Sequence, residues 1–102
     1  MSLLINTSSI IYKINEDEII YVSAEGSYSC IHLKTGREIV VSQNIGAVSL
    51  KIKKREFIRI SRSILLNLLY LKEIDKKQKI IHLHDGTRLS FTCEVKLLLE
   101  KL

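Results

Sequence analysis

The sequence predicts an all-β (mainly β) fold: an elongated stack of small antiparallel sheets with about eight to ten short strands and one or two short helices. The apolar runs are short and rich in β-branched and aromatic residues, and several alternate with polar residues, as in Tyr28–Lys34. Thr35-Gly36 and Asp85-Gly86 separate such runs and favour tight hairpins. A parallel sheet would instead show continuous apolar strands and long crossovers.

The first half of the chain has the pattern of several strands followed by a helix. Ile10–Ile14 is the expected opening strand, and Asn15-Glu16-Asp17 supplies turn residues after it. The next three expected strands are Glu18–Ala24, Tyr28–Lys34 and Arg37–Ser42. Residues 44–52 have helical spacing, with Asn44 as the N-cap and an apolar face of Ile45, Val48 and Ile52.

The second half has the pattern of more strands and a final helix. Glu56–Ser61 alternates as a strand does, whereas Ile64–Ile74 fits either a strand or a short helical turn. Lys79–His84 and Thr87–Phe91 are expected strands, joined at Asp85-Gly86 by a type I′ turn with two residues at positive φ. Thr92 is the expected cap of the last helix, whose apolar stripe is Val95, Leu98, Leu99 and Leu102.

Length and cysteine content limit the class of protein. A chain of 102 residues predicts one domain, residues 1–102, which is compatible with excision from a longer protein. The longest apolar stretch, Ile64–Leu71, is too short to span a membrane, and the N-terminus lacks the pattern of a secretion signal. Two cysteines, Cys30 and Cys93, are too few for a disulfide framework. We expect free thiols, a reducing cytoplasm and no membrane partner.

The net charge of +5 is concentrated in one segment. Lys51–Arg62 holds six basic residues and one acid, while the remainder of the chain holds ten of each. Concentrated positive charge is typical of a surface that binds a polyanion, although it is also common on soluble proteins without that role. The charge alone leaves both interpretations open.

No arrangement of residues predicts catalysis, a cofactor or a metal. His82 and His84 alternate on one strand face, but a zinc site needs three or four ligands. Cys30 and His32 also share a face, at a strand spacing too long for a direct hydrogen bond. Because no acid–base pair or nucleophile motif is present, we expect the protein not to be an enzyme.

Three blocks of sequence resemble the LytTR family of DNA-binding domains. Residues 57–67, FIRISRSILLN, are similar to the family signature F-[IV]-R-[IVC]-H-R-S-[YF]-[ILV]-V-N. Residues 17–28, DEIIYVSAEGSY, resemble its D-I-x-Y-I-E-A-x-G-N-Y, and Ile80–Leu89 resembles its last hairpin. The blocks occur in family order and spacing, and they cover roughly residues 10–102. The resemblance implies three small antiparallel sheets, and it implies that loops at one edge contact double-stranded DNA.

The resemblance also implies a function and a set of contacts. It implies the output domain of a bacterial two-component response regulator, which binds direct repeats at promoters. A receiver domain in the parent chain and a homodimer on DNA are further expected partners. Arg62 matches the basic position of the signature and is suited to guanine or phosphate. The expected DNA-contacting residues are Arg62, Ser61, Tyr28, Ser27, Arg59, Lys53, Lys54, Arg55 and Lys96.

Within that set the residues have different expected roles. Lys53, Lys54 and Arg55 are chosen from charge alone, for phosphate neutralisation. Arg59 fits either a phosphate contact or an ion pair with Glu56 or Glu38. Asn67 matches the family asparagine, and we expect it to stabilise a bend rather than to contact DNA.

The sequence departs from the family pattern at two places. Ser61 replaces the family histidine, and Cys93-Glu94 replaces a basic pair in the last block, P-[IV]-S-R-R-Y. An acid facing phosphates is repelled, so we expect altered affinity or sequence choice, partly offset by Lys96. The alternative function is a diverged domain of the same fold that binds protein or dimerises through an apolar edge at Ile64–Leu71.

Overall fold

The structure is a computed structural model that describes residues 2–102. The chain begins with a two-stranded antiparallel hairpin, β1 (Ser2–Asn6) and β2 (Ile11–Asn15). The expected opening strand is therefore present, shifted by one residue, but its partner β1 was not predicted. Leu3, Ile5 and Ile14 point to one side of this hairpin and are buried there, as the two-residue period of a strand requires.

A five-stranded antiparallel sheet forms the middle of the molecule, in the order β5-β4-β3-β7-β6. Its strands are β3 (Ile19–Glu25), β4 (Tyr28–Leu33), β5 (Glu38–Val41), β6 (Phe57–Arg59) and β7 (Ile64–Asn67). The expected strands are confirmed here with small shifts at their ends. Because β7 lies between β3 and β6, the apolar segment that begins at Ile64 is an interior strand and not an exposed edge.

A three-stranded sheet packs on one face of the middle sheet, in the order β10-β9-β8. Its strands are β8 (Leu71–Asp75), β9 (Ile80–Leu83) and β10 (Arg88–Ser90). Two single turns of 3-10 helix, Glu16–Glu18 and Leu68–Tyr70, precede β3 and β8. The apolar stretch Ile64–Ile74, ambiguous in sequence, thus contains a strand, a helical turn and most of a second strand.

Two apolar cores lie on the two faces of the middle sheet. The β1–β2 hairpin and the first helix cover one face, and the three-stranded sheet and the second helix cover the other. Leu65 faces the first core and Leu66 the second, so β7 is buried on both sides. A register shift between Ile19 and Tyr21 adds one residue to β3, which places Ile19 and Val22 in the same core.

The two helices are short, and only the first follows the sequence prediction closely. α1 (Ile45–Lys51) is capped by Asn44, whose Oδ1 accepts from the Ala47 N–H at 2.8 Å. α2 (Val95–Lys101) begins after Glu94 and has no side-chain cap. Neither helix is long and apolar enough to cross a membrane, nor is any other helix in the described part of the chain.

Three details predicted for the C-terminal third are wrong. Thr92 does not cap α2, because the helix begins at Val95 and Glu94 occupies the N-cap position, while the Thr92 N–H donates to the Ile60 carbonyl. Leu98 is fully buried, but Leu99 and Leu102 are 59% and 63% exposed, since α2 rests on the core by a narrow stripe. In the Asp85-Gly86 hairpin only Gly86 has positive φ, at 93°, so the turn is not type I′.

Candidate nucleic-acid interface

Antiparallel pairing brings four loops to one end of the middle sheet. The β3–β4 turn lies beside the β6–β7 loop, because the Ala24 N–H donates to the Ser63 carbonyl at 2.8 Å. The segment after β5 joins them, since Ser29 Oγ donates to the Gln43 carbonyl at 2.6 Å. The Thr92 N–H donates to the Ile60 carbonyl at 2.8 Å and adds the loop before α2. We call this the Arg62 end; its loops are 25–28, 42–44, 60–63 and 92–94.

The Arg62 end brings together most of the polar residues predicted from the family blocks. Ser27 lies in the β3–β4 turn and Tyr28 is the first residue of β4, where it is 51% exposed. Gly26, at φ 66°, supplies the left-handed conformation that this turn requires. Arg62 is exposed in the adjoining loop, and Ser61 is half-buried beside it. A phenol, hydroxyls and a guanidinium therefore lie at one surface.

Arg59 acts on the backbone of the Arg62 loop. Its Nη2 donates to the Arg62 carbonyl at 2.7 Å, and its Nε donates to the Ser61 carbonyl at 3.3 Å. Ser61 Oγ accepts from the Ser63 N–H at 3.2 Å, which tightens the same loop. Arg59 is not ion-paired with Glu56 or Glu38. Its guanidinium holds the loop in shape and adds positive charge behind Arg62.

The loop before α2 supplies the residues that depart from the family pattern. Both Thr92 and Cys93 donate backbone N–H groups to the Ile60 carbonyl, at 2.8 and 3.1 Å. Cys93 packs against the second core, and burial raises the pKa of its thiol. Glu94 and Lys96 are exposed at the start of α2. The acid and the lysine therefore both border the Arg62 end.

A lysine-rich turn also reaches this end and was missed as a site in the sequence. The β8–β9 turn reads Lys76-Lys77-Gln78-Lys79, and all four residues are exposed. The Phe91 N–H donates to the Lys79 carbonyl at 3.0 Å, next to the Thr92 bond to Ile60. Lys79 Nζ lies 5.6 Å from the centre of the Phe91 ring. The sequence signal for this site is the short lysine run between the two strands.

The segment Lys53–Arg55 lies at the opposite end of the middle sheet. The carboxylate of Glu16, in the 3-10 turn before β3, accepts from the Lys53 and Lys54 N–H groups at 3.0 and 2.9 Å. Because β3 has seven residues, this end is about 20 Å from the Arg62 end along the strand. The three basic residues are thus not brought together with Arg62 and Tyr28.

Lys54 is also engaged by an acid. Its Nζ lies 2.6 Å from the Asp17 carboxylate. The Lys54 ammonium lowers the pKa of Asp17, and the Asp17 carboxylate raises the pKa of Lys54. A lysine with a carboxylate partner offers less attraction to phosphate than an exposed one.

The prediction that Asn67 stabilises a bend is confirmed. Its side chain is fully buried. Nδ2 donates to the Ile19 carbonyl at 2.9 Å, and Oδ1 accepts from the Leu69 N–H at 3.0 Å. These bonds tie the end of β7 to β3 and begin the 3-10 turn that follows. The amide is satisfied by backbone and has no surface to offer a ligand.

The Arg62 end has the chemistry of a surface that binds a polyanion. Six cations border it, in three separate segments of sequence: Arg59, Arg62, Lys76, Lys77, Lys79 and Lys96. Acids are present too, at Glu25 and Glu94. Arginine can form two parallel bonds to a phosphate or to a guanine, while lysines act as point charges. The exposed loops are suited to reaching into the grooves of a duplex.

Comparison with known proteins identifies the fold and the family of this chain. The structure is similar to the LytTr DNA-binding domain of a Bacillus cereus protein described as a methyl-accepting/DNA response regulator, with a TM-score of 0.70 and 16% sequence identity. The similarity covers 86% of this chain and 83% of that one, which shows a shared fold. No curated protein sequence matches the chain significantly. The family model described as LytTr DNA-binding domain matches residues 9–99, so the chain belongs to the LytTR family of DNA-binding domains.

Proposed function

We propose that this chain is the sequence-specific DNA-binding output domain of a bacterial transcription regulator of the two-component response-regulator type. It acts in the cytoplasm as a single domain spanning residues 1–102, without enzymatic activity. The observation that carries the proposal is the Arg62 end. There the turn at Tyr28, the loop at Arg62 and the lysine turn at residues 76–79 form one exposed cationic surface.

The residues at this surface have distinct proposed roles. Arg62 reads a base or clamps a phosphate, and Ser61, Ser27 and Tyr28 contact the duplex beside it. Arg59 positions the loop through the Ser61 and Arg62 carbonyls. Lysines neutralise phosphates on the flank nearer to α2, among them Lys96 from the predicted set and Lys76, Lys77 and Lys79 from the turn.

The basic segment Lys53–Arg55 has a smaller role in this proposal. It lies at the far end of the sheet, and its path is fixed by Glu16. A positive charge about 20 Å from the interface is attenuated by salt, since the Debye length is about 8 Å at physiological ionic strength. We propose that these residues contribute to attraction at long range and not to the contact itself.

The test is a comparison of matched arginine and lysine variants. Duplex sites are selected from a random pool, and affinity is measured by fluorescence anisotropy across a range of salt. Arg62→Ala weakens specific binding by about 1–3 kcal/mol, as expected for loss of one bidentate contact. The matched control Lys53→Ala removes an exposed cation from the opposite end and leaves specific affinity within about twofold.

Salt dependence distinguishes base reading from phosphate contact. With about four to six phosphates neutralised, log K falls against log salt with a slope near −4 to −5. Lys76→Ala and Lys77→Ala each reduce the slope by about 1 and weaken all sequences alike. A flat slope, or equal losses in Arg62→Ala and Lys53→Ala, contradicts the proposed interface.

A substitution of the acid at the start of α2 is expected to strengthen DNA binding, whereas the substitutions above weaken it. Glu94 is exposed where it borders the Arg62 end. Glu94→Arg removes repulsion from phosphates and restores a basic residue, so it strengthens DNA binding. Weaker binding by that variant in a gel shift would place Glu94 outside the interface.

The proposed partners follow from the same role. The target is double-stranded DNA carrying promoter direct repeats, with two copies of the chain on one site and a receiver domain in the parent protein. The alternative of protein binding through Ile64–Leu71 has no support from the structure. Leu65, Leu66 and Leu68 in that segment are buried, and Leu69 is the exposed leucine.

A further inference from the structure

Cys30, His32 and Glu38 bring three metal-binding groups together on one face of the middle sheet. His32 and Glu38 are direct cross-strand partners in β4 and β5, and Cys30 lies two residues earlier on β4. His32 Nδ1 lies 3.5 Å from one Glu38 carboxylate oxygen, and Cys30 Sγ lies 4.0 Å from the other. The three ligand atoms all lie within 4.8 Å of one another. Only Cys30 and His32, which share one strand, were considered from the sequence, and the cluster was missed because Glu38 belongs to the neighbouring strand.

The imidazole of His32 is held by two further contacts. Ser23 Oγ lies 3.0 Å from its Nε2, and the Tyr21 ring stacks on it with 4.0 Å between centroids and 14° between planes. Nδ1 is therefore the nitrogen directed at Glu38, while Nε2 is occupied by the hydroxyl. A metal-binding histidine usually has this arrangement, in which a second group orients the ring. Burial also lowers the pKa of His32, which favours the neutral imidazole that binds metals.

The site opens to one side. A cleft of about 190 Å³ adjoins His32 and Glu38 and is closed on its far side by Asp85 and Thr87 of the β9–β10 hairpin. His32, 18% exposed at its side chain, and Glu38, 62% exposed, line this cleft, whereas Cys30 is buried and is not part of its lining. Three protein ligands can thus close one side of a metal ion while the cleft admits a water molecule as the fourth ligand.

The chemistry of the three ligands selects the metal. A thiolate, an imidazole and a carboxylate suit Zn²⁺, whereas Mg²⁺ and Ca²⁺ prefer oxygen ligands alone. Tetrahedral bonds of about 2.0–2.3 Å place ligand atoms roughly 3.4–3.7 Å apart. The cluster needs a contraction of about 1 Å: rotation of the exposed Glu38 side chain shortens its distances to the other two ligands, and the Cys30 thiol must rotate as well, because it lies two residues from His32 on the same strand.

We propose that Cys30, His32 and Glu38 form a zinc-binding site on this domain, with water from the adjoining cleft as the fourth ligand. Without metal the thiol is protonated, since burial raises the pKa of Cys30. On binding, the S–H bond breaks, its proton leaves to solvent, and the sulfur binds Zn²⁺. The bound ion links β4 to β5 and stabilises the fold independently of DNA.

Cobalt(II) is the optical probe and zinc the competitor. Titration of the reduced protein with Co²⁺ gives a thiolate-to-cobalt charge-transfer band and the visible bands of tetrahedral cobalt, and Zn²⁺ removes both. Mg²⁺ and Ca²⁺ leave them unchanged. With Zn²⁺ at a hundred times its dissociation constant, the melting temperature rises by about 10 °C or more. Calorimetry in buffers of different ionisation enthalpy detects the release of a proton for each ion bound.

Variants locate the ligands. Glu38→Gln changes an exposed side chain and weakens binding at least about tenfold, as does Ser23→Ala through loss of ring orientation. Cys30→Ser removes the charge-transfer band. The matched control Cys93→Ser retains binding, because Cys93 lies at the second core near α2.

The outcomes that overturn the proposal are equally specific. If cobalt gives visible absorbance without a charge-transfer band, and His84→Gln abolishes that absorbance, the ion binds at His82 and His84 instead. Unchanged affinity in Glu38→Gln also overturns it. Should Cys30→Ser fail to fold, Glu38→Gln decides the question, since that position tolerates a polar neutral side chain at the surface.

Discussion

The carboxylate of Glu16 determines how the chain passes from α1 to β6. The side chain is fully buried. Oε1 accepts from the Lys53 N–H at 3.0 Å and from the Lys54 N–H at 2.9 Å, and Oε2 lies 3.2 Å from the Lys53 nitrogen. The acceptor is therefore a carboxylate shared by two backbone donors that lie 37 and 38 residues away in sequence. We expect its removal to be among the most destabilising single changes in this protein.

The structure gives the size of the effect. Hydrogen bonds to charged groups contribute about 1.5–3 kcal/mol each, so Glu16→Ala, which removes two, costs about 3–6 kcal/mol. Glu16→Gln keeps Oε1, which makes the two shorter contacts, and replaces Oε2 by an amide that faces the Lys53 N–H. We expect it to cost about 1–2 kcal/mol. A domain of this length has about 5–15 kcal/mol of stability in total, so the alanine variant is close to unfolding.

Urea unfolding followed by circular dichroism measures both changes. The urea concentration at the unfolding midpoint is expected to be highest for wild type, lower for Glu16→Gln and lowest for Glu16→Ala, with little change in the slope m. At a temperature where both variants stay folded, DNA affinity remains near the wild-type value, because Glu16 lies far from Arg62. The reasoning is refuted if Glu16→Ala unfolds within 1 kcal/mol of wild type, or if the glutamine variant is the weaker of the two.

Three further changes test the fold. Asn67→Ala removes two buried hydrogen bonds and lowers the free energy of unfolding by about 2–4 kcal/mol in urea titrations; a loss under 1 kcal/mol contradicts the structural role. Gly86→Ala lowers the free energy of unfolding by about 1–2 kcal/mol because the positive φ of this position strains an alanine, while the added methyl group would meet no atom within 4 Å. An unchanged urea midpoint would refute the turn geometry. Burial lowers the pKa of His32 below its ordinary value of 6.5, so the unfolded chain is protonated at a higher pH than the folded protein. The free energy of unfolding therefore decreases as the pH falls from 6.5 toward the pKa of the folded protein. His32→Gln flattens the dependence, and an identical profile in wild type and variant would contradict the assignment.

Several local features were predictable because adjacent residues decide them. Asn44 caps α1 through a bond that spans three residues. Gly36 and Gly86 have positive φ in the hairpins that their dipeptides indicated. The alternation of polar and apolar residues predicted antiparallel sheets, and the family blocks at residues 17–28 and 57–67 predicted that Arg62 and Tyr28 lie at one edge of the domain. Such signals depend on backbone conformation or on motif spacing, and both are contained in the sequence.

The position of the positive charge was decided by tertiary structure. Lys53 and Arg62 belong to one basic segment, but β6 runs between them and separates them along the sheet. Meanwhile the lysine turn at residues 76–79 comes to the Arg62 end through hydrogen bonds from Phe91 to Lys79 and from Thr92 to Ile60. A strand rises about 3.3 Å per residue, so sequence neighbours on either side of it are far apart in space.

The sequence by itself determined the fold class, the hairpins, the first helix and the family. Tertiary structure alone decided which charges share a surface, why Glu16 is buried, and that Glu38 joins Cys30 and His32. The physical reason is the same in each case. Backbone conformation depends on neighbouring residues, so the sequence predicts it. Cross-strand register and packing bring together residues that are far apart in the chain, and their spacing in sequence does not show that they are in contact.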